Sequence, residues 1–401
     1  MRTRYRFWIM LVVLAMVAAA CGDDSSVTTA TPAATTTTAA PTTTTSGGTD
    51  DTTTTTAAPI ALADVCPDPI IIQTDWFPEA EHGAMYEMLG DDYTIDTDNQ
   101  IVAGSLVSGG EDTGIDIEVR TGGPAIGFQN PVDQMYVERE ITFGYVSTDE
   151  AVFAAEDNPS LAVVAPLDKN PQIIMWDPAT YPDVETIADL GTEGVTIRVF
   201  AGGTYIDVFV SEGIISQSQV DPSYDGSPAV FVAEGGKIAQ QGFASAEPYN
   251  YEFEFTDWGK PVKFQLIHDA GLEIYSQAVA IRAGDLEDLR PCLEQFVPIV
   301  QEAIVDYVSD PARANAIIID AVEQYNSFWV YSPELADYSV DTQLELGLVG
   351  DGSDDVVGNM DPERVQGVID KMVAAGLPVK AGLQASDITT NEFIDPSIGL
   401  P

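Results

Sequence analysis

The stretch Pro69-Ile70-Ile71-Ile72-Gln73-Thr74-Asp75-Trp76-Phe77-Pro78-Glu79-Ala80-Glu81-His82-Gly83 decides the fold class. Three isoleucines behind a proline read as a buried strand, because an unbroken apolar run suits a strand covered on both faces. Pro78 with Glu79 and Glu81 reads as a first helical turn, its acids at the positive end of the helix dipole. The strand stops at polar and aromatic groups just where a helix is expected to begin. Open α/β proteins place ligands at such junctions, and Asp75 and Trp76 stand at the mouth of the expected crevice.

The same alternation continues along the chain. Residues 115–119 read as a strand, Thr121-Gly122-Gly123-Pro124 as a loop and 132–136 as part of a helix. Then come a strand at 141–146, Thr148-Asp149-Glu150 as an acidic helix cap, and 151–155 as that helix. Strands at 161–165 and 172–176, a helix around 184–190 and a strand at 195–200 precede the turn Ala201-Gly202-Gly203-Thr204 and the segment 205–214. Repeated strand, glycine-rich turn and helix argue for parallel-rich sheets flanked by crossover helices. Strands at 263–267 and 274–281 follow, then helices at 285–307, 311–325 and 362–375. Roughly 340 residues after the first sixty exceed what one core usually holds, so two lobes are expected. Residues 60–164 with 279–401 form the first, and 165–278, inserted between them, the second. Two chain crossings then make a hinge able to close on a ligand.

The first sixty residues set the location. Arg2, Arg4 and Arg6 precede an uncharged run, 7–20, that ends in three alanines. A basic start, a short apolar core and small residues at its end make 1–20 a secretory signal, too short for a comfortable membrane span. Cys21 directly after Ala18-Ala19-Ala20 resembles a bacterial lipobox and is then the lipidated first residue of the mature chain; the alternative is an ordinary signal peptide with a chance cysteine. Residues 25–59 are almost wholly Thr, Ala, Pro, Ser, Gly and Asp. Such a segment buries too little apolar surface to offset its ordering entropy, so 21–59 is expected to be a disordered tether. Its composition is that of O-glycosylated Thr/Pro-rich stalks.

Sixteen Lys and Arg against 64 Asp and Glu give a formal charge of −48; without the leader arginines the balance is 13 against 64, or −51. So acidic a surface repels nucleic acid and anionic lipid headgroups, and contact with the membrane is expected only through the lipid anchor on its outer face. With Cys21 assigned to lipid, Cys66 and Cys292 remain as one pair in an oxidising compartment, the alternative being two buried thiols.

Several motifs carry a resemblance. Thr74-Asp75-Trp76 with Pro78 and His82-Gly83, Gly122-Gly123-Pro124, Gly202-Gly203-Thr204, Ala246-Glu247-Pro248 and the closing Thr390-Asn391-Glu392-Phe393 resemble the NMT1/THI5-like substrate-binding proteins of ABC importers. The resemblance spans roughly residues 70–395. It implies a bilobal periplasmic-binding fold that holds a small-molecule solute between its lobes and delivers it to an ABC permease and its ATPase, acting as a monomer. Glu247 with Tyr249 resembles a family contact after a strand of the second lobe. The polar insertion 91–114 departs from simpler members and reads as a surface hairpin or a lid. Its spaced Asp92, Asp96 and Asp98 suggest calcium but lack the full EF-hand pattern, so no metal is expected.

Each candidate contact has two readings. Trp76 stacks on a flat ligand or fills the space behind the first strand. Asp75 accepts hydrogen bonds from a ligand nitrogen or caps the helix. His82, with His268 one of two histidines, binds ligand through a ring nitrogen or is structural. The Gly122-Gly123 and Gly202-Gly203 pairs, one per lobe, permit close backbone approach and anion contact at following helix starts, or are plain tight turns. Thr148, Asp149, Thr204 and Tyr205 fall at comparable strand ends. Acids outnumber bases among these residues, which disfavours nitrate or sulfonate and favours a neutral or amine-bearing solute. Trp76, Phe128 and Tyr205 point to a planar ring, so a thiamine-pyrimidine-like heteroaromatic compound is the leading expectation.

Nothing in the sequence signals catalysis. Gly-x-Ser-x-Gly is absent, two histidines leave little room for a triad or a metal, and there is neither a phosphate-cradling Gly-x-x-x-x-Gly-Lys nor a cysteine cluster. No cofactor is expected. Pyrimidine synthases of the same group use a histidine with a Cys-rich stretch, which this chain lacks. A solute-sensing or adhesive lipoprotein on the same fold is the other alternative to transport.

Overall fold

The computed structural model describes residues 61–401. The expected signal 1–20, lipidated Cys21 and tether 21–59 lie outside the described residues.

Twelve strands are described: β1 (Ile70–Gln73), β2 (Thr94–Asp96), β3 (Ile101–Ser108), β4 (Glu111–Arg120), β5 (Phe143–Val146), β6 (Ser160–Val164), β7 (Gln172–Trp176), β8 (Ile197–Arg198), β9 (Val220–Asp221), β10 (Ala239–Phe243), β11 (Lys263–Leu266) and β12 (Ala278–Arg282). They form a seven-stranded sheet in the order β2-β3-β4-β1-β5-β12-β6 and a five-stranded sheet in the order β11-β7-β10-β8-β9. β1 lies inside the first sheet, parallel to β4 and β5, and all four of its residues are buried. That burial on both faces accounts for its apolar run.

The sheets are mixed, where the sequence pattern favours parallel pairing. β12 runs antiparallel to β5 and β6, and β7 runs antiparallel to β10 and β11. The cause is the route of the chain. It leaves the first sheet after β6 and re-enters it at β12 after building the second. These two crossings, at 165–171 and 267–277, join two mixed sheets in an α/β architecture.

Among the described residues there are eleven α-helices: α1 (Gly83–Glu87), α2 (Pro131–Val137), α3 (Thr148–Ala154), α4 (Ile187–Glu193), α5 (Thr204–Ser211), α6 (Ala229–Ala233), α7 (Glu247–Tyr249), α8 (Leu286–Ser309), α9 (Ala312–Tyr325), α10 (Pro333–Glu345) and α11 (Pro362–Ala374). α8 buries Cys292, Leu293, Phe296, Val297, Val300 and Ile304 at helical spacing, the stripe a helix needs to lie on a sheet. Cys292 is disulfide-bonded to Cys66 with an S–S distance of 2.01 Å, joining the start of the fold to this late helix. Among the described residues, no helix is long and apolar enough to cross a membrane.

One arginine holds both crossings. Arg364 of α11 donates from Nη1 to the Asp168 carboxylate at 2.9 Å. It also donates to the carbonyls of Glu273 at 2.6 Å and Ile274 at 3.0 Å, and its guanidinium lies 3.8 Å over the Tyr275 ring. Asp168 belongs to the first crossing and 273–275 to the second. α11 itself packs against α3 and α5, helices that follow strands of different sheets or stand beside them.

Two local expectations need correction, and the first of the two readings of the insertion holds. The first helical turn begins at Ala80, not Pro78, as a 3-10 turn (Ala80–His82) leading into α1; Glu79 is extended and its side chain caps nothing. Phe77 holds the chain out by stacking on Trp329 at 6.2 Å, while the Trp329 indole donates to the Pro78 carbonyl at 3.3 Å. The strand expected at 274–281 starts only at Ala278, because Gln277 takes a left-handed φ of 58° and Tyr275 bonds Thr148 instead of a neighbouring strand. The insertion 91–114 is a hairpin, β2 and β3 extending the sheet edge beside β4. Within it, Asp92 accepts from the Ser105 amide and hydroxyl, and Asp96 from Asn99 and the Asp98 amide.

Candidate functional site

The first wall of the cleft grows from the end of β1. Asp75 neither caps a helix nor stands free. The His82 ring donates to it from Nε2 at 2.8 Å, and Gln277, at the end of the second crossing, donates from Nε2 to both its oxygens at 2.9 and 3.1 Å. Its side chain keeps 29% of its surface exposed, so this supported carboxylate remains within reach of a solute. The loop after β4 packs directly behind it. A Cβ on Gly122 would lie 2.1 Å from the Thr74 carbonyl oxygen, and one on Gly123, at φ 56°, would lie 2.6 Å from the Trp76 ring. Close approach to the 74–76 backbone explains this glycine pair without a ligand.

The second wall comes from the ends of β8 and β10. Gln241 accepts at Oε1 from the Phe200 amide at 3.1 Å and from the Tyr205 hydroxyl at 2.7 Å, fixing a buried ring at the start of α5. Glu247 folds back over Gly242, where a Cβ would meet it at 2.9 Å, and accepts from the Phe243 amide at 2.6 Å. Between the walls, the Ser245 hydroxyl donates to the Glu81 carboxylate. Ser245 is held in turn by the α10 hydroxyl of Ser339, which donates to its carbonyl at 2.7 Å.

Carboxylates dominate the space between. Burial pushes Glu79 well above the usual carboxylate range, and the charges of Glu81, Asp75 and Glu247 add to the rise. Burial also raises Glu81, against the opposing Ser245 hydrogen bond. Glu247 is pushed up to about 7 by burial, with the Phe243 amide working against the shift and the Glu81 charge adding to it. At the start of α3, burial raises Asp149, which the Thr204 hydroxyl of the second wall partly offsets, and carries Glu150 to about 8. Such clustering of like charges away from water favours the protonated forms.

The expected residues divide accordingly. Asp75, His82, Asp149, Thr204, Tyr205 and Glu247 stand at or just after the ends of β1, β5, β8 and β10. Thr148 is not free, since its hydroxyl donates to the Tyr275 carbonyl and accepts from the Tyr275 amide. Trp76 is half-buried in an aromatic group with Phe77, Phe128 and Trp329. Phe128 lies on the outer side of this group, 66% exposed. Pro124 lines a different hollow, of about 800 Å³, with Gln73, Phe77, Arg120 and Phe328. Gly202 is exposed at φ 84° with open space around it, a tight turn, and Gly203 leads into α5 beside the Tyr205 ring. Tyr249 stacks with Tyr338 of α10 at 5.3 Å. His268 is remote from His82: Arg364 approaches it at 3.4 Å, and burial and that charge lower it to about 4. Among the described residues, no group of three or more His, Cys, Asp and Glu is arranged to hold a metal.

Gln277, Glu81, Ser245 and Gln241 were not singled out as contacts by the sequence pattern. The available signal was a polar side chain at the border of an apolar strand, as in Ser276-Gln277 before Ala278-Val279-Ala280-Ile281.

No protein-family model matches the chain, and no curated protein sequence matches it. Among solved structures, a protein from Bordetella bronchiseptica RB50 is similar at 12% identity and a TM-score of 0.53, over 82% of this chain and 96% of that one. The alkanesulfonate-binding protein SsuA from Xanthomonas axonopodis pv. citri, bound to MOPS, has 13% identity and a TM-score of 0.49, covering 81% of this chain and 99% of its own. The periplasmic aliphatic sulphonate binding protein SsuA of Escherichia coli has 13% identity and a TM-score of 0.48, over 77% and 86%. The first of these shares the fold; the other two, with TM-scores under 0.5, carry no argument about this chain.

Proposed function

We propose that this protein is the extracytoplasmic solute-binding component of an ABC importer. It captures a small organic solute between its lobes, 60–164 with 279–401 and 165–278, and presents the closed form to a membrane permease driven by an ATPase. The observation that carries this reading is the pair of facing polar walls, Asp75 with Gln277 on one and Glu247 with Ser245 on the other, set beside a two-crossing hinge. The motifs quoted from the sequence support the NMT1/THI5-like group, and the Ala18-Ala19-Ala20-Cys21 run supports a lipid anchor on the outer face of the cell membrane. The protein acts as a monomer and contacts the bilayer only through that anchor. It binds and does not transform its solute, so it is not an enzyme. A planar heteroaromatic solute of the thiamine-pyrimidine kind fits the Tyr205 ring and the hydrogen-bonding walls. Closure follows binding only if the solute prefers the closed state.

Mass spectrometry of small molecules released by denaturing the purified native protein tests this. The expected result is one compound at close to one per chain, which rebinds when the protein is restored. Absence of any compound, together with no binding across a panel of pyrimidines, flavins, sulfonates and polyamines, overturns it.

A further inference from the structure

The side of Asp75 that faces the second crossing holds an acceptor without a donor. Gln277 is 3% exposed and sits at φ 58°, a conformation that side chains other than glycine and asparagine seldom adopt. The orientation of its amide is fixed by chemistry. A carboxylate only accepts, so the nitrogen must face Asp75, and the carbonyl Oε1 is left buried with no hydrogen-bond partner. His82, 0% exposed, gives a hydrogen from Nε2 to Asp75 and leaves its Nδ1 buried and unpartnered. Asp149 Oδ1 is a further buried oxygen without a partner. Buried polar atoms without partners are unfavourable, and here they flank a cluster of carboxylates.

Positive charge is scarce around that cluster. The main influences on Glu79, Glu81, Asp149, Glu150 and Glu247 include no lysine or arginine; what favours their charged forms is hydrogen bonds, with His82 beside Glu81 the one basic group among them. Arg198 of β8 donates from Nη2 and Nε to Ser223 and lies beside Asp221 and Asp225, with its Nη1 buried and unpartnered. The helix N-termini that would attract an anion already meet the protein's own acids: Glu150 closes the capping box of α3 on Ser147, and Asp149 faces Thr204 at the start of α5.

Resting on the solute-binding reading above, we propose that the solute is an organic cation whose protonated nitrogen donates to Asp75 and to the Gln277 carbonyl, with Glu81 and Glu247 closing over it from the other side. A nitrogen with two or three N–H groups supplies the donors these acceptors lack, and its charge lets the facing acids ionise together. A sulfonate or nitrate would meet acceptors and negative charge on both walls.

Thermal-shift and calorimetric titration of the purified protein tests this with putrescine, agmatine and thiamine as cations, ethanesulfonate and nitrate as anions, and uracil as a neutral ring. The expected result is binding of at least one cation and of neither anion, weakened at least tenfold in Asp75→Asn and in Gln277→Leu. Glu247→Gln, on the opposite wall, gives a loss of the same sign and serves if either of the first two variants folds poorly. Binding of an anion or of uracil with no response to any cation overturns the charge assignment and leaves solute binding intact. No response to any probe, with no small molecule released from the native protein, overturns both.

Discussion

At the scale of single residues, the site is a problem in charge burial. Asp75 stays accessible because His82 and Gln277 supply it with three hydrogen bonds from behind. Glu247 has no such support beyond one backbone amide, and burial carries it to about 7. Its surroundings explain this: Glu79 and Glu81 lie beside it, and Tyr224, Tyr251 and Tyr338 sense its charge, while Arg198 acts on Tyr224 and Tyr251 and is not among the influences on Glu247. The unfolded chain ionises this group near pH 4.5, so between pH 4.5 and 7 the folded state holds more protons. Its contribution is therefore intact below the lower value and is lost as pH rises through the upper one. A shift of this size corresponds to about 3 kcal/mol. Glu247→Gln is expected to flatten the fall in melting temperature between pH 5 and about 7.5; a pH profile parallel to that of the parent protein would show that Glu247 is not the buried acid responsible.

At the scale of elements, the crossings matter most. Arg364 serves both through four acceptors and the Tyr275 ring, an arrangement that a planar fork satisfies and a point charge does not. Arg364→Met leaves Asp168 and the carbonyls of 273–274 without a partner and is expected to lower unfolding free energy by about 2–4 kcal/mol in urea. Arg364→Lys should recover only part of it. A loss within 0.5 kcal/mol for Arg364→Met, as for an ordinary surface change, would mean the crossings are held elsewhere.

The same scale shows what the sequence made legible. β1, β5, β6 and β7 are short apolar runs, and α8, α9 and α11 carry apolar residues at helical spacing, so local pattern was enough to find them. α10 was not visible, because its buried face mixes Leu335, Ala336 and Val340 with Ser339, Thr342 and Gln343, whose burial depends on contacts such as Ser339 to Ser245. Asp75 and Glu247 could be singled out from their places at strand ends. Gln277 could not, since its role depends on a residue 202 positions away. The antiparallel return of β12 is likewise a property of the path between lobes and leaves no local trace.

At the scale of the whole molecule, the described chain brings Asp75, Glu79, Glu81 and Glu247 from different elements near one another, with the two crossings tied by one helix. Other surfaces compete for a ligand: the exposed aromatic group around Phe128 and Phe328, each 66% exposed, and the hollow holding Arg120. Arg120 there is already matched by Glu118, Glu138 and Glu140, so that hollow offers no free positive charge. The measurement that separates these places is a crystal structure of the protein with the solute it carries when purified. The account predicts that solute between the lobes, a nitrogen within hydrogen-bond distance of Asp75 and the Gln277 carbonyl, and Glu81 and Glu247 facing it. A solute seated on the Phe128 and Phe328 rings or beside Arg120, with nothing bound between Asp75 and Glu247, would contradict it.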